Sequence, residues 1–243
     1  MSGERPVSVR ELADRLKSVR SRIAEAAVRA GRDPGLVRLV AVTKGVGVEQ
    51  MAAAAAAGVT DVGENYVQEA LAKRQALGEL ARDLRWHIIG SVQRNKVRFV
   101  VDLAHMIHSV DRVALVEALQ HRASETGRAP EVLVQVNAGP GAPPGGVAAE
   151  EAGELVSVLA SAGDLRVRGL MTIAPWVSDP EQARPAFARL RGLRDRLAEE
   201  FPGLDLADLS MGMSGDFEVA VEEGATLVRV GTALFGPRPP RGG

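Results

Sequence analysis

A lysine that closes a run of β-branched residues can do chemistry, because an amine at the end of a buried strand can condense with a carbonyl. Leu39-Val40-Ala41-Val42-Thr43-Lys44 is such a run, followed at once by Gly45. Its apolar character is that of a strand buried on both faces. Val40, Val42 and Lys44 alternate onto one face. In a closed barrel that face can be the interior, and Lys44 then stands at the C-terminal rim with little water around it. The ordinary reading of the same residues is a lysine that snorkels to solvent.

Two other stretches bear on that choice. Met211-Gly212-Met213-Ser214-Gly215-Asp216 puts glycines and a serine where a helix begins, and Gly231-Thr232 offers backbone N–H groups without a bulky first side chain. In a parallel barrel, the loops after the last two strands are where a phosphate is held. Taken singly, Gly212 and Gly215 are turn glycines and Ser214 is an N-cap. Arg229 lies in the last apolar run, on the opposite face from Val228 and Val230. Pointing inward, it needs an acceptor, either a carboxylate of the barrel or an atom of a ligand. An amine, a phosphate cradle and an inward arginine together suit pyridoxal 5′-phosphate (PLP). It offers an aldehyde to Lys44, a phosphate to Ser214, Gly231 and Thr232, and a ring nitrogen to Arg229.

Other ionisable residues carry less. His87 and His108 fall in strands and read as hydrogen-bonded core or rim histidines, while His105 and His121 fall at helix or loop edges. No cluster has metal-ligand spacing, and no Gly-x-Ser-x-Gly elbow or Walker-type loop occurs. Asn65 with Gln68 has the spacing of a capping box.

These residues need a scaffold, and the chain supplies eight alternations of strand and helix. The strands read as residues 39–44, 59–62, 86–89, 106–109, 131–137, 166–171, 206–210 and 226–230. Helices are expected at 7–30, capped by Ser8 with Val9, Leu12, Leu16, Val19, Ile23 and Ala27 on its apolar face, and at 48–57. Others follow from Gly63 onward, at 93–101, at 111–126 with Asp111 as cap, at 148–162, at 179–200 with a kink or delayed start at Pro185, and at 214–223. The segment 139–146, with three prolines and four glycines, is a loop. Eight alternations after an N-terminal helix predict an α/β fold, a single parallel (β/α)₈ TIM barrel with an extra N-terminal helix. No linker divides residues 1–243, so one domain is expected.

Composition agrees. Hydrophobic residues make up 46%, enough for a large core, and a net charge of −1 recommends neither nucleic acid nor an anionic membrane as partner. The absence of cysteine fits a reducing cytoplasm. Residues 1–10 lack the apolar core of a signal peptide, and no apolar run approaches spanning length.

Several motifs together resemble one family. They are Val42-Thr43-Lys44, Gly63-Glu64-Asn65-Tyr66-Val67-Gln68-Glu69, and Trp86-His87-Ile88-Ile89-Gly90 with Gln93-x-Asn95-Lys96. With them go His108-Ser109-Val110-Asp111-Arg112, Gly169-Leu170-Met171, Leu209-Ser210-Met211-Gly212-Met213-Ser214, and Val228 through Gly236. This set resembles the pyridoxal phosphate homeostasis proteins, and the resemblance runs from the first helix to Arg238. It implies a barrel similar to the N-terminal domain of alanine racemase. Lys44 would carry PLP as a Schiff base, Arg229 would face the pyridine nitrogen, Ser214, Gly231 and Thr232 would hold the phosphate, and Asn65 would lie near the ring. Two lysines common in the family are replaced, one by Gly45-Val46-Gly47 and one by Pro143-Pro144-Gly145-Gly146. The resemblance implies cofactor binding in cytoplasmic vitamin B6 homeostasis, without turnover. Its partners would be PLP and PLP-dependent apo-enzymes, and its working state a monomer. A second base for racemisation comes, in alanine racemase, from a β-rich domain not expected here. The competing readings are a PLP-dependent racemase or lyase, and a sugar-phosphate barrel enzyme using Lys44.

Overall fold

Short runs rich in Val, Ile and Leu favour strands buried on both faces, and they form the inner wall of the molecule. The computed structural model describes residues 8–139 and 143–237. Its strands are β1 (Arg38–Val42), β2 (Asp61–Glu64), β3 (Arg85–Ile88), β4 (Met106–Val110), β5 (Glu131–Asn137), β6 (Val147–Ala148), β7 (Arg166–Met171), β8 (Asp208–Ser210) and β9 (Leu227–Val230). The helices are α1 (Val9–Arg29), α2 (Val48–Ala56), α3 (Val67–Leu77), α4 (Val97–Leu103), α5 (Val113–Thr126), α6 (Ala152–Ser161), α7 (Arg184–Glu200), α8 (Phe217–Glu222) and α9 (Thr232–Phe235).

The strands pair in the order β4-β3-β2-β1-β9-β8-β7-β5, and β4 pairs with β5 to close the ring. Every pairing is parallel. The two-residue β6 pairs with β5, outside the ring. This is the predicted (β/α)₈ TIM barrel, with α1 as the extra N-terminal helix. Val40, Met106, Leu133, Met171 and Leu227 form a separate apolar cluster inside the ring, and the larger core lies between strands and helices.

Helix α1 begins with the expected cap. Ser8 Oγ accepts from the Glu11 N–H, and Glu11 Oε2 accepts from the Ser8 N–H, a complete capping box. Leu12, Leu16, Val19 and Ile23 are buried as the spacing predicts, but Val9 is exposed. Arg22 of α1 pairs with Glu218 of α8 at 2.7 Å, fastening the helix over the end of the barrel sequence.

Several boundaries differ from expectation. Gly63 and Glu64 belong to β2 rather than to the next helix, because Val42 and Gly63 are register partners and pairing extends the strand. Helix α3 starts from Tyr66 with no side-chain cap, so Asn65 and Gln68 make no capping box. Arg112, not Asp111, is the N-cap of α5, and Asp216, not Ser214, is that of α8. Pro185 falls in the first turn of α7, behind a 3₁₀ turn at Pro180–Ala183, which is a delayed start and not a kink. The expected start of the first helix at Val7, residues 140–142 of the loop, and Arg238 lie outside the described residues.

Candidate functional site

Lys44 stands just beyond the end of β1, half-buried, in a turn rather than in the strand itself. The turn is closed by the Val46 N–H donating to Thr43 O at 2.9 Å. Three side chains clamp it. Lys73 Nζ donates to Thr43 O at 2.6 Å, to Glu64 Oε1 at 2.8 Å and to Glu69 Oε1 at 2.6 Å. Glu69 Oε1 also accepts from the Gly45 N–H at 2.6 Å, and Glu64 Oε1 from Thr43 Oγ1 at 2.7 Å. The backbone on both sides of Lys44 is therefore tied to β2 and α3. Burial pushes the Glu64 carboxyl up, against the hydrogen bonds from Lys73 and Thr43, and its Oε2 is buried without a partner among the described residues.

This clamp is the part of the site that sequence reasoning missed. Glu69 and Lys73 are four apart on α3, a spacing that pairs on a helix, but nothing local says that the pair reaches a turn 30 residues upstream.

Arg229 sits inside the barrel, paired in register with Val40. Val228 and Val230 point outward into the larger core, as their alternation predicts. The guanidinium donates from Nη1 to Ser210 Oγ at 2.6 Å and from Nη2 to the Thr172 carbonyl at 2.8 Å. Both partners are neutral, so the expected alternative of a carboxylate salt bridge is not what holds it. Burial pushes the Arg229 pKa down to about 10, partly offset by the field of Asp216. A buried cation whose hydrogen-bond partners among the described residues are neutral suits an additional acceptor from a ligand.

The structure brings Ser214, Gly231 and Thr232 together. Ser214 Oγ accepts from the N–H of Gly231 at 3.2 Å and of Ala233 at 3.3 Å, where α9 begins with Thr232. The Ser214 loop folds back because the Met213 N–H donates to Asp216 Oδ1 at 2.6 Å. Gly212 takes φ +90°, and a Cβ there would come within 2.6 Å of Ala220 Cβ, so the turn after β8 requires glycine. The arrangement of one hydroxyl with adjacent backbone donors fits a phosphate ester.

Asn65 follows β2 and is half-buried. A Cβ on Gly90 would lie 2.4 Å from Asn65 O, so glycine after β3 leaves room for that backbone. Beside Asn65 is a cavity of about 320 Å³, lined also by Gln68, Ser91, Gln93 and Lys96. His87 and His108, read from sequence as hydrogen-bonded histidines, are fully buried and hydrogen-bonded to each other inside the barrel. Among the described residues no group of three or more His, Asp or Glu side chains is placed to hold a metal ion. No helix there is long and apolar enough to cross a membrane.

Comparison with known proteins meets this geometry. The family model described as "Alanine racemase, N-terminal domain" matches residues 15–239. A pyridoxal phosphate homeostasis protein of Aquifex aeolicus is 44% identical over 225 residues, 93% of this chain and 97% of that one. Its counterpart in Escherichia coli K12 is 38% identical, over 94% and 97%. PipY of Synechococcus elongatus, solved with PLP bound, is 40% identical with a TM-score of 0.83, over 93% of this chain and all of that one. Alanine racemase of Corynebacterium glutamicum, at 20% identity and TM-score 0.71, is similar in fold. The match spans 97% of this chain but only 63% of the racemase. With relatives this similar over nearly their whole length, the chain belongs to the pyridoxal phosphate homeostasis protein family.

Proposed function

We propose that the protein binds PLP in vitamin B6 homeostasis, with the cofactor held on Lys44 and without amino-acid turnover. The observation that carries this is Arg229, a guanidinium buried inside the barrel whose hydrogen-bond partners among the described residues are neutral. It accompanies a clamped lysine turn and a hydroxyl-plus-amide cradle. When bound, PLP supplies an aldehyde that condenses with an amine and a ring that can accept electrons. The protein's residues supply position: Lys44 gives the amine, Ser214, Gly231 and Thr232 hold the phosphate, Arg229 donates to the ring nitrogen, and Asn65 borders the ring. An arginine donating to that nitrogen disfavours its protonation and so weakens the ring as an electron sink.

The side chains around the rim are committed elsewhere. Ser109 Oγ donates to Gly90 O at 2.7 Å, and Thr172 Oγ1 donates to Val136 O at 2.8 Å. His87 and His108 are fully buried and hydrogen-bonded within the barrel. None of these is a base free to work opposite Lys44, and general-base assistance is typically worth about a hundredfold or more. The relatives described above are named for homeostasis and not for catalysis. Delivery of the cofactor to PLP-dependent apo-enzymes, a monomeric working state and a cytoplasmic setting belong to the same proposal. The absence of cysteine supports the last.

The test is to titrate the protein with PLP and follow absorbance, then add L-alanine or L-serine. A coloured complex that Lys44→Ala abolishes, with no sustained racemisation or elimination, is expected. Lys44-dependent turnover at about 1 s⁻¹ or faster, the ordinary enzyme range, would mean a racemase or lyase.

A further inference from the structure

We propose that Asp61, His87, His108 and Ser210 form a one-directional hydrogen-bond relay across the barrel interior, and that this relay positions Arg229 for the ring nitrogen of PLP. The proposal rests on the reading of Arg229 given above.

The contacts are continuous. Asp61 Oδ1 meets His87 Nε2 at 2.9 Å, His87 Nδ1 meets His108 Nε2 at 2.9 Å, and His108 Nδ1 meets Ser210 Oγ at 2.8 Å. Ser210 Oγ then accepts from Arg229 Nη1 at 2.6 Å. The chain starts on β2, steps through β3 and β4, and crosses the interior to β8 and β9 on the other side. All five side chains are buried.

Its direction follows from two charge states. Burial raises the Asp61 carboxyl, but hydrogen bonds from His87, Arg85 and Thr60 outweigh it and hold the group well below the usual carboxylate range. Asp61 is therefore ionised and can only accept, so His87 Nε2 carries a proton. Burial pushes both imidazoles down, His108 furthest, so both are neutral. Neutral His87 then has a bare Nδ1, which must accept from His108 Nε2–H. Neutral His108 has a bare Nδ1, which must accept the Ser210 hydroxyl proton. Ser210 has thus committed its only donor and turns lone pairs alone toward Arg229.

The consequence falls on the guanidinium. Ser210 of β8 fixes Nη1 and the carbonyl of Thr172, just beyond the end of β7, fixes Nη2, so two partners from different parts of the barrel define its plane. Every link donates toward the Asp61 charge, and such alignment polarises successive bonds in a dry interior. Asp61 lies at the opposite end of its strand from the rim, against a cavity of about 310 Å³ lined also by Arg20, Arg38, Thr60 and Arg85. It is the relay member that can be altered farthest along the chain from Arg229. Asp61, His87 and His108 are positioning residues, acting through Ser210.

Two nitrogen-NMR measurements test this. In the cofactor-free protein, which has four histidines, His87 and His108 should both appear as neutral tautomers protonated at Nε2 around neutral pH. A proton on Nδ1 of either ring, or a charged ring, overturns the relay. The second follows the ring-nitrogen resonance of labelled PLP in the loaded protein. Arg229→Gln should move it, and Ser210→Ala and Asp61→Asn should move it part of the way toward the Arg229→Gln position. Leu159→Ala, which opens a space in the outer core, should leave it unmoved. A resonance that moves with Arg229→Gln but not with Ser210→Ala and Asp61→Asn overturns the relay and leaves the Arg229 reading standing. A resonance indifferent to Arg229→Gln overturns that reading, and the relay with it. The histidine measurement uses the native chain and decides even where a variant does not fold.

Discussion

Ser214 shows how much rests on one hydroxyl. Its Oγ gathers two backbone N–H groups at the start of α9, and in the proposed site it would be a further polar contact for a phosphate. If Ser214 holds the phosphate as proposed, Ser214→Ala would delete a hydrogen bond to a charged group, worth about 1.5–3 kcal/mol. PLP affinity should therefore fall roughly tenfold to a hundredfold by equilibrium titration. Pyridoxal without its phosphate should bind weakly and be indifferent to the change; equal losses for both ligands would make Ser214 a loop residue only. Lys44, Ser214, Gly231 and Arg229 could be put forward from the sequence because the chemistry proposed for them goes with residue type at a strand end, and the structure bears out the contact of Ser214 with Gly231 and the inward place of Arg229. Lys73 and Glu64 were not, since their role is contact with a turn on another strand. The two histidines were legible as hydrogen-bonded, but not their partners: Asp61 comes from the neighbouring strand β2, and Ser210 from β8, which only the closed ring sets across the interior from His108.

Strand β2 and helix α3 together hold the Lys44 turn, and their coupling can be measured. Lys73 is 8% exposed at its side chain and Glu64 is not exposed at all. Removing one partner of a buried ion pair leaves a charge without compensation, at about 3–5 kcal/mol. Lys73→Met should cost stability of that order in urea unfolding. Adding Glu64→Gln should recover part of the loss, because the amide oxygen still accepts from Thr43 and no buried charge remains. Strictly additive losses would show that the two are not coupled. Element boundaries were less legible than the elements themselves. Periodicity identified β2, but only pairing with β1 shows that it runs on through Gly63 and Glu64. The two-residue β6 and the four-residue α9 are too short to leave a period in the sequence.

For the molecule as a whole, the alternation of eight apolar runs with helices was enough to indicate a barrel, since few other closures bury every strand on both faces. The polar interior is the part that composition hides, and it makes stability depend on pH. His87 and His108 are lowered from their ordinary value of 6.5, chiefly by burial. Above about 6.5 they are neutral folded and unfolded alike, and contribute no pH dependence. Below it the unfolded chain takes up protons that the folded barrel refuses, so stability falls as pH drops toward the folded values, by up to about 1.4 kcal/mol per pH unit for each ring. Glu64 and Asp216, raised by burial, act in the opposite sense at lower pH. Between pH 7 and 5.5, wild type should lose about 1 kcal/mol more stability than His108→Gln. Equal losses in denaturant titrations would mean that His108 takes up its proton in the folded state. Above all these effects stands the attachment of the cofactor. Borohydride reduction of the PLP-loaded protein, followed by peptide mass mapping, should place a single pyridoxyl group on the peptide that contains Lys44, and Lys44→Ala should carry none. A pyridoxyl group on Lys73 or Lys96 instead, with the Lys44 peptide unlabelled, would contradict the site described here.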